Sequence, residues 1–418
     1  MLVITEYLNG SILAREIWLS AAKAFVHPEM GVVNLLPLCI HYCMLPCANT
    51  LVWCALFHLT SCFLTEVVKR KDFVDGLPAR PRTIRTICRE DLYSDMMKLF
   101  GDPDSTNFFP FVVRFTDEEG VDTGGLSREA FSTFWEAAYN EHFDGANIVA
   151  PVVRAGQFST SLQTLGRILS YGYISSGFLP VRVAFPTLAS ILVSGDIPAE
   201  ILVQSFKDSL TPVDLCTMKE GFASHGKKFP KDLLYKLISI FSRFDCLEVP
   251  NPKNLLRLCE QSCRFSFVDK PFSSIMEIKR GIPPQHISFW EEKGVIGLNQ
   301  VYLALAVSPM KILNCIEEPF FYNRSEERVF HYLVEYIGRM KVEEVQVFLR
   351  FCTGSSVCID KPITIEFNGL SGLERRPIAH TCSCMLELPR TYINYSDFSK
   401  EFQIVMDSEN NGWKMDTI

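Results

Sequence analysis

The sequence predicts an α+β protein with two lobes: a mainly helical first lobe, and a smaller α/β lobe near the C-terminus. Three observations predict it. Long stretches between residues 126 and 264 carry apolar side chains at helical spacing. Two short stretches between residues 362 and 389 alternate apolar and polar side chains, as strands do. Residues 30–65 contain no Asp, Glu, Lys or Arg, which sets them apart as an apolar N-terminal arm.

We assign residues 1–84 to this arm and its linker, because Asp75–Arg85 is broken by Gly and Pro and carries several Arg. Within the arm, residues 45–64 approach the ~20 apolar residues that a membrane-spanning helix needs. The basic Val67–Lys71 follows, as the positive-inside rule expects for a cytoplasmic flank. Pro37, Pro46, His41 and His58 in the wider charge-free stretch of residues 30–65 argue against a span. A buried helical hairpin and a poorly ordered segment are the alternatives.

The first lobe is predicted to cover residues 85–319. A short strand, Pro110–Phe115, is followed by a glycine-containing turn, Gly120–Gly125, and by an amphipathic helix, Leu126–Tyr139. The apolar side chains of that helix fall near one face; they are Leu126, Phe131, Phe134 and Trp135. Further helical patterns fill the rest of the lobe, so we expect it to be mainly helical.

The second lobe is predicted to cover residues 320–418. One helix should end at Gly354, where a left-handed C-cap suits glycine. A strand should begin after Pro362, and a second strand-like stretch runs from Thr381 to Pro389. A final helix should start near Tyr395 with Ser396 as its N-cap. The buried face of this last helix is predicted to contain Phe398, Phe402, Val405 and Met406.

Composition and charge exclude several classes of function. The net charge of −7 and the lack of basic-aromatic patches argue against a nucleic-acid partner. The 15 cysteines are odd in number and irregularly spaced, which argues against a disulfide framework and favours a reducing compartment, the cytosol or nucleus. Cys259 and Cys263 stand at a helical interval without zinc-ligand partners, so packing is the better interpretation. We predict no metal and no cofactor.

The stretch Arg376–Pro389 raises the question of a reactive thiol. If the strand is regular from Thr381, then Cys382 and Cys384 share a face with Leu386 and Leu388. If Thr381 still lies in a loop, Cys382 is exposed at the strand entrance and Cys384 is inside. The polar residues before Cys382 and the apolar ones after Cys384 favour the second arrangement. His380 and Arg376 would then bias a nearby thiol toward the thiolate.

Three motifs resemble those of HECT-type ubiquitin-protein ligases. The active-site pattern A-H-T-C followed by L-x-L-P is matched by Ala379–Cys382 and Leu386–Pro389. The pattern F-x-T-G-S/T-S is matched by Phe351–Ser356, and G-V-D-x-G-G-L-S-R-E-x-F by Gly120–Phe131. The resemblance runs from about Arg85 onward. The chain looks nearest to divergent vertebrate HECT proteins of the G-two/M-phase ligase-like group.

The resemblance implies a bilobal HECT-like fold in which the first lobe docks a ubiquitin-conjugating enzyme. The small lobe would swing on a hinge near Phe320–Arg324. Cys382 would accept ubiquitin as a thioester, and a substrate lysine would then attack it. His380 and Thr381 would shape the loop, and an aromatic residue six from the family's C-terminal end would assist the second step. In this chain that position is Trp413.

An active ubiquitin ligase is therefore the leading hypothesis, with ubiquitin and a conjugating enzyme as partners and a protein substrate of unknown identity. A second hypothesis is a HECT-shaped module that binds these partners without turnover. A third, a cysteine hydrolase, would need a histidine aimed at the sulfur and a group behind it. We expect a cytoplasmic or nuclear location, with membrane contact through residues 45–64 as a further alternative.

Overall fold

A computed structural model describes residues 83–103, 111–116, 124–154, 159–224, 226–319, 321 and 323–410. All of these residues belong to one compact unit, Val67–Ile418. Within the unit, buried apolar side chains form two separate cores, which define two lobes. The fold is α+β, as predicted. The apolar arm, including residues 45–64, lies outside the described residues.

The first lobe is mainly helical, with two small sheets. Parallel strands β1 (Thr83–Ile87) and β2 (Phe111–Phe115) pair with each other, and antiparallel strands β3 (Phe143–Asp144) and β4 (Ala150–Pro151) form a second pair. The helices are α1 (Leu92–Gly101), α2 (Gly125–His142), α3 (Ser159–Ser176), α4 (Phe185–Leu192), α5 (Ala199–Asp208), α6 (Pro212–Phe222), α7 (Lys231–Ser242), α8 (Leu255–Arg264), α9 (Phe272–Gly281) and α10 (Pro284–Leu305). Helix α10 is kinked at Gly294.

The second lobe packs helices on a mixed four-stranded sheet. Its elements are α11 (Pro309–Cys315), β5 (Ile316–Glu317), α12 (Arg324–Gly338), α13 (Val342–Thr353), β6 (Ile363–Asn368), β7 (Ile378–His380), β8 (Met385–Pro389) and α14 (Tyr395–Asn410). The strand order is β5-β6-β8-β7, with β7 antiparallel to β8 and the other pairs parallel. The loop between β7 and β8 carries the predicted nucleophile.

Aromatic side chains dominate the second core. Phe398 and Phe402 of α14 are fully buried, and their ring centroids lie 5.2 Å apart. Phe402 also lies 6.0 Å from the ring of Phe348 on α13. Leu386 and Leu388 of β8 face the same core. Burial of these apolar surfaces, worth about 1.5–3 kcal/mol for each large side chain, holds the sheet against its helices.

Most predicted elements are present at the expected positions. Helix α2, the strand after Pro362 and the helix ending at Gly354 are all confirmed. The buried face of α14 is also confirmed, although Val405 is only partly covered. Ser396 as the N-cap is wrong, because α14 begins one residue earlier and Asn394 Oδ1 accepts the Asp397 backbone N–H at 2.9 Å.

The two cores refine the limits of the lobes. Strand β1 starts at Thr83, so the last residues of the predicted linker already belong to the first lobe's sheet. Ile312 lies in the second core, and β5 pairs with β6, so the second lobe draws in residues ahead of 320. Conversely, Val357 packs into the first core. The chain therefore crosses between the lobes more than once.

No single helix in the described part of the chain has the length and apolarity to cross a membrane. Helices α10 and α11 meet that test only as a pair, and they are bent by 82° where they join.

Candidate active site

Cys382 lies in a four-residue turn that links β7 to β8. Residues 381–384 form this turn, and the regular strand begins only at Met385. Cys384 closes the turn with a left-handed φ of 57°. The structure follows the second predicted arrangement in placing Thr381 in a turn, so the two sulfurs do not share one strand face, but Cys382 is less exposed than expected. Cys382 is half-buried, whereas Cys384 is fully buried.

The two thiols are therefore chemically distinct. Burial raises the pKa of the Cys384 thiol, although the nearby charges of Arg128 and Lys361 oppose the rise. Its Sγ points back to the Thr381 carbonyl oxygen at 3.6 Å. A buried, protonated thiol is a poor nucleophile, because the thiolate is the attacking form. Of the two residues, Cys382 is the more exposed.

His380 is paired with a carboxylate at the end of β7. Its Nε2 lies 2.7 Å from Oε1 of Glu387, on the neighbouring strand β8. The hydrogen bond from His380 is the main cause that lowers the pKa of Glu387, with Asn368 adding to it. Ser383 Oγ donates to the His380 carbonyl oxygen at 3.1 Å. His380 is thus tied to β8 and to the turn.

The start of α2 lies directly against the Cys382 turn. A Cβ built on Gly125 would meet Cys382 Sγ at 2.8 Å and Thr381 Oγ1 at 2.9 Å. Glycine is therefore required at this position by the close approach of the turn. Backbone freedom applies to Gly124, whose φ is 115° at the N-cap of α2. The first turn of a helix carries positive partial charge, which suits an anionic sulfur nearby.

Arg128, one turn further along α2, binds two carbonyl oxygens of the second lobe. Its Nε donates to the Thr353 oxygen at 2.7 Å, and its Nη2 donates to the Thr381 oxygen at 2.7 Å. Thr353 ends α13, and Thr381 immediately precedes Cys382. One side chain of the first lobe therefore fixes both the end of a helix and the turn that carries the candidate nucleophile.

The segment after α13 completes the contact between the lobes. Gly354 caps α13 with φ of 75°, and a Cβ built on it would meet the Gly125 carbonyl oxygen at 2.6 Å. Ser356 donates its backbone N–H to Ser132 Oγ of α2 at 3.0 Å. We call the set Gly125, Arg128, Thr353, Gly354 and Thr381 the interlobe contact.

The interlobe contact draws on all three sequence motifs. Gly125 and Arg128 belong to the first motif, Thr353 and Gly354 to the second, and Thr381 to the third. Sequence reasoning placed each motif on the correct element but did not single out Arg128 or Glu387. The available signal was the position of Arg128 inside the first motif, which does not say what the guanidinium binds.

Other predicted features lie partly or wholly outside the described residues. Trp413 is outside them, as are Phe320 of the predicted hinge and most of the turn Gly120–Gly125. Cys259 and Cys263 are fully buried on α8, in agreement with packing. Among the described residues, no group of three or more His, Cys, Asp or Glu could hold a metal ion.

We compared the chain with models of known protein families and with curated proteins. The model of the HECT-domain (ubiquitin-transferase) family matches residues 313–416, which include most of the second lobe and Cys382. No curated protein matches the chain. The resemblance of the three motifs to HECT ligases and the match over the second lobe agree. The C-terminal part of this chain, residues 313–416, therefore matches a HECT (ubiquitin-transferase) domain.

Proposed function

We propose that this protein is a ubiquitin ligase that carries ubiquitin as a thioester on Cys382. The observation that carries the proposal is the half-buried thiol of Cys382 on a turn between β7 and β8, inside the segment that matches the HECT domain. Cys384, two residues away, is fully buried. The partners are ubiquitin, a conjugating enzyme and a substrate protein.

The chemistry proceeds in two acyl transfers. The Cys382 thiolate attacks the carbonyl carbon of the thioester between ubiquitin and the conjugating enzyme, and the enzyme's own cysteine leaves as a thiolate. A deprotonated substrate lysine then attacks the new thioester. An isopeptide bond forms, and Cys382 leaves as a thiolate. No metal or redox cofactor is needed to balance either step.

His380 and Thr381 support the turn in this proposal. The pair of His380 with Glu387 at 2.7 Å links the end of β7 to β8. The Thr381 carbonyl oxygen accepts a hydrogen bond from Arg128. These contacts use main-chain and ring atoms to hold the turn, which suits a role in shaping the loop. We propose that neither residue serves as a dedicated base.

A charged conjugating enzyme tests the assignment of the sulfur. The full chain is incubated with the charged enzyme and examined on gels with and without reductant. We expect a thiol-sensitive ubiquitin adduct that Cys382→Ala abolishes. Cys384→Ala is the matched control, since it removes a thiol of the same turn, and it should retain the adduct. Equal loss of the adduct in both variants would refute Cys382 as the acceptor.

The same experiment addresses the alternative of a binding module without turnover. If the wild-type chain binds the conjugating enzyme or ubiquitin but forms no adduct, the module is the better description.

A truncation tests the proposed role of Trp413. Removal of the last six residues should leave adduct formation intact and slow the transfer of ubiquitin to lysine. Membership in the G-two/M-phase ligase-like group and a cytoplasmic or nuclear location stay predictions.

A further inference from the structure

The side chain of Arg128 connects parts of the chain that are far apart in sequence. It stands on α2 of the first lobe, and two carbonyl oxygens that it binds stand 225 and 253 residues later, each at 2.7 Å. Its Nη2 also lies 3.6 Å from Sγ of Cys384 in the same turn. The two carbonyl acceptors belong to the main chain. Their position therefore depends on backbone geometry and not on the identity of the side chains at Thr353 and Thr381.

We propose that Arg128 is a positioning residue that holds the Cys382 turn against α2. The proposal rests on the proposed function only in taking Cys382 as the nucleophile. Arg128 contacts the residue before Cys382 and the end of α13, so it acts on the sulfur through the turn.

Arginine suits this position for two physical reasons. Its planar guanidinium presents several N–H donors in a fixed fork, so two acceptors in different directions are bound at once. The Thr353 oxygen is one of the last carbonyls of α13, where a helix carries negative partial charge that attracts a cation. A lysine ammonium is a compact charge and would bind these two carbonyls less well together.

Gly125 supplies an independent observation on the same turn. The Cys382 backbone nitrogen would lie 3.1 Å from a Cβ built at this position, in addition to the close approach of Sγ. The turn therefore packs directly against the backbone at the start of α2, because Gly125 has no side chain. An alanine at this position would push the turn away while leaving Arg128 in place.

The two observations make one prediction about the accessibility of the thiol. Loss of either Arg128 or the bare backbone at Gly125 should free the turn from α2 and uncover the flank of Cys382 that α2 now covers. The released turn should also hold a ubiquitin thioester less firmly. Transfer to lysine should then slow, because the amine must find the acyl carbon in a defined position.

Alkylation of Cys382 by iodoacetamide, followed by mass spectrometry of its peptide, tests the prediction in the full chain without ubiquitin. We expect the rate to rise about threefold or more in Arg128→Ala and in Gly125→Ala, with Arg128→Lys between Arg128→Ala and wild type. Arg182→Ala is the matched control, because Arg182 pairs with Glu136 at the far end of α2. Its rate should equal that of wild type.

Buried thiols show whether a faster rate reflects local release or general loosening. Cys259 and Cys263 are fully buried in the first core and should stay unlabelled in every variant. Rates at Cys382 within twofold of wild type in both Arg128→Ala and Gly125→Ala would overturn the proposal. So would labelling of Cys259 and Cys263 that rises together with labelling of Cys382.

A second readout separates positioning from a merely structural role. With charged conjugating enzyme, Arg128→Ala should load ubiquitin within about twofold of wild type but discharge it to lysine about tenfold more slowly. Partial recovery of discharge in Arg128→Lys would support positioning, and equal slowing of both steps would contradict it. If wild type forms no adduct while the alkylation results hold, the proposed function fails and the positioning role stands.

Discussion

Substitution of Gly354 by alanine should open the contact between the two lobes. Two costs combine at this position. The φ of 75° places an alanine in the left-handed region, which costs roughly 1–2 kcal/mol. The new Cβ would also lie 2.6 Å from the Gly125 carbonyl oxygen, which belongs to backbone and has little room to move. Forced overpacking of this kind costs about 1–3 kcal/mol more. The total is about 2–5 kcal/mol.

Gly372→Ala separates the two costs. Gly372 also has a left-handed φ, of 64°, but no atom lies within 4 Å of a Cβ built on it. We expect this control to lose only the roughly 1–2 kcal/mol of the backbone term. The assay is native-state labelling of the buried Cys352 thiol, where each 1.4 kcal/mol of lost protection gives about a tenfold faster rate. Equal labelling rates in the two variants would refute the steric reasoning at the interlobe contact.

Three further predictions concern titration and helix capping. Burial lowers the pKa of His286 to about 4. Since an unfolded histidine titrates near pH 6.5, its neutral form stabilises the fold above that pH, and about 3 kcal/mol should be lost as the pH falls toward 4. His286→Gln should flatten the fall in urea midpoint between pH 7 and 5; an unchanged fall would contradict this. The neighbouring Cys358 thiol lowers the pKa of Cys315, with the nearby Lys311 adding to the effect. Cys358→Ala should therefore slow alkylation of Cys315 at pH 6.5 about tenfold, and an unaltered rate would exclude the pairing. Asn394→Ala should cost about 1 kcal/mol through the lost N-cap, while Ser396→Ala should change the urea midpoint little; the reverse order would restore Ser396 as the cap.

Local sequence patterns were sufficient to predict the helices and turns around the site. Helical spacing of apolar residues predicted α2, and glycine at the end of an apolar helix predicted the left-handed cap at Gly354. The break between polar and apolar residues around Cys382 favoured a turn before the strand. Each of these features depends on interactions within a few residues, so a single sequence carries the signal.

Other predictions failed because the choice depended on a competition between neighbours. Ser396 and Asn394 are both good N-cap residues, and pattern alone cannot rank two candidates two residues apart. The contact of His380 with Glu387 across the strand pair was not predicted at all. Strand pairing brings those residues together, and spacing along the chain does not show which partner a side chain takes.

The sequence by itself determined which segments become helices and strands, that a thiol stands at the entrance of a strand, and that the motifs around it resemble one family. Only the tertiary structure decided that Gly125, Arg128, Thr353 and Thr381 meet at one place, and that one thiol is half-buried and the other enclosed. The reason is physical: helix and turn formation are governed by short-range contacts. The interlobe contact joins residues more than 220 positions apart, and its donors and acceptors meet only after both cores have formed.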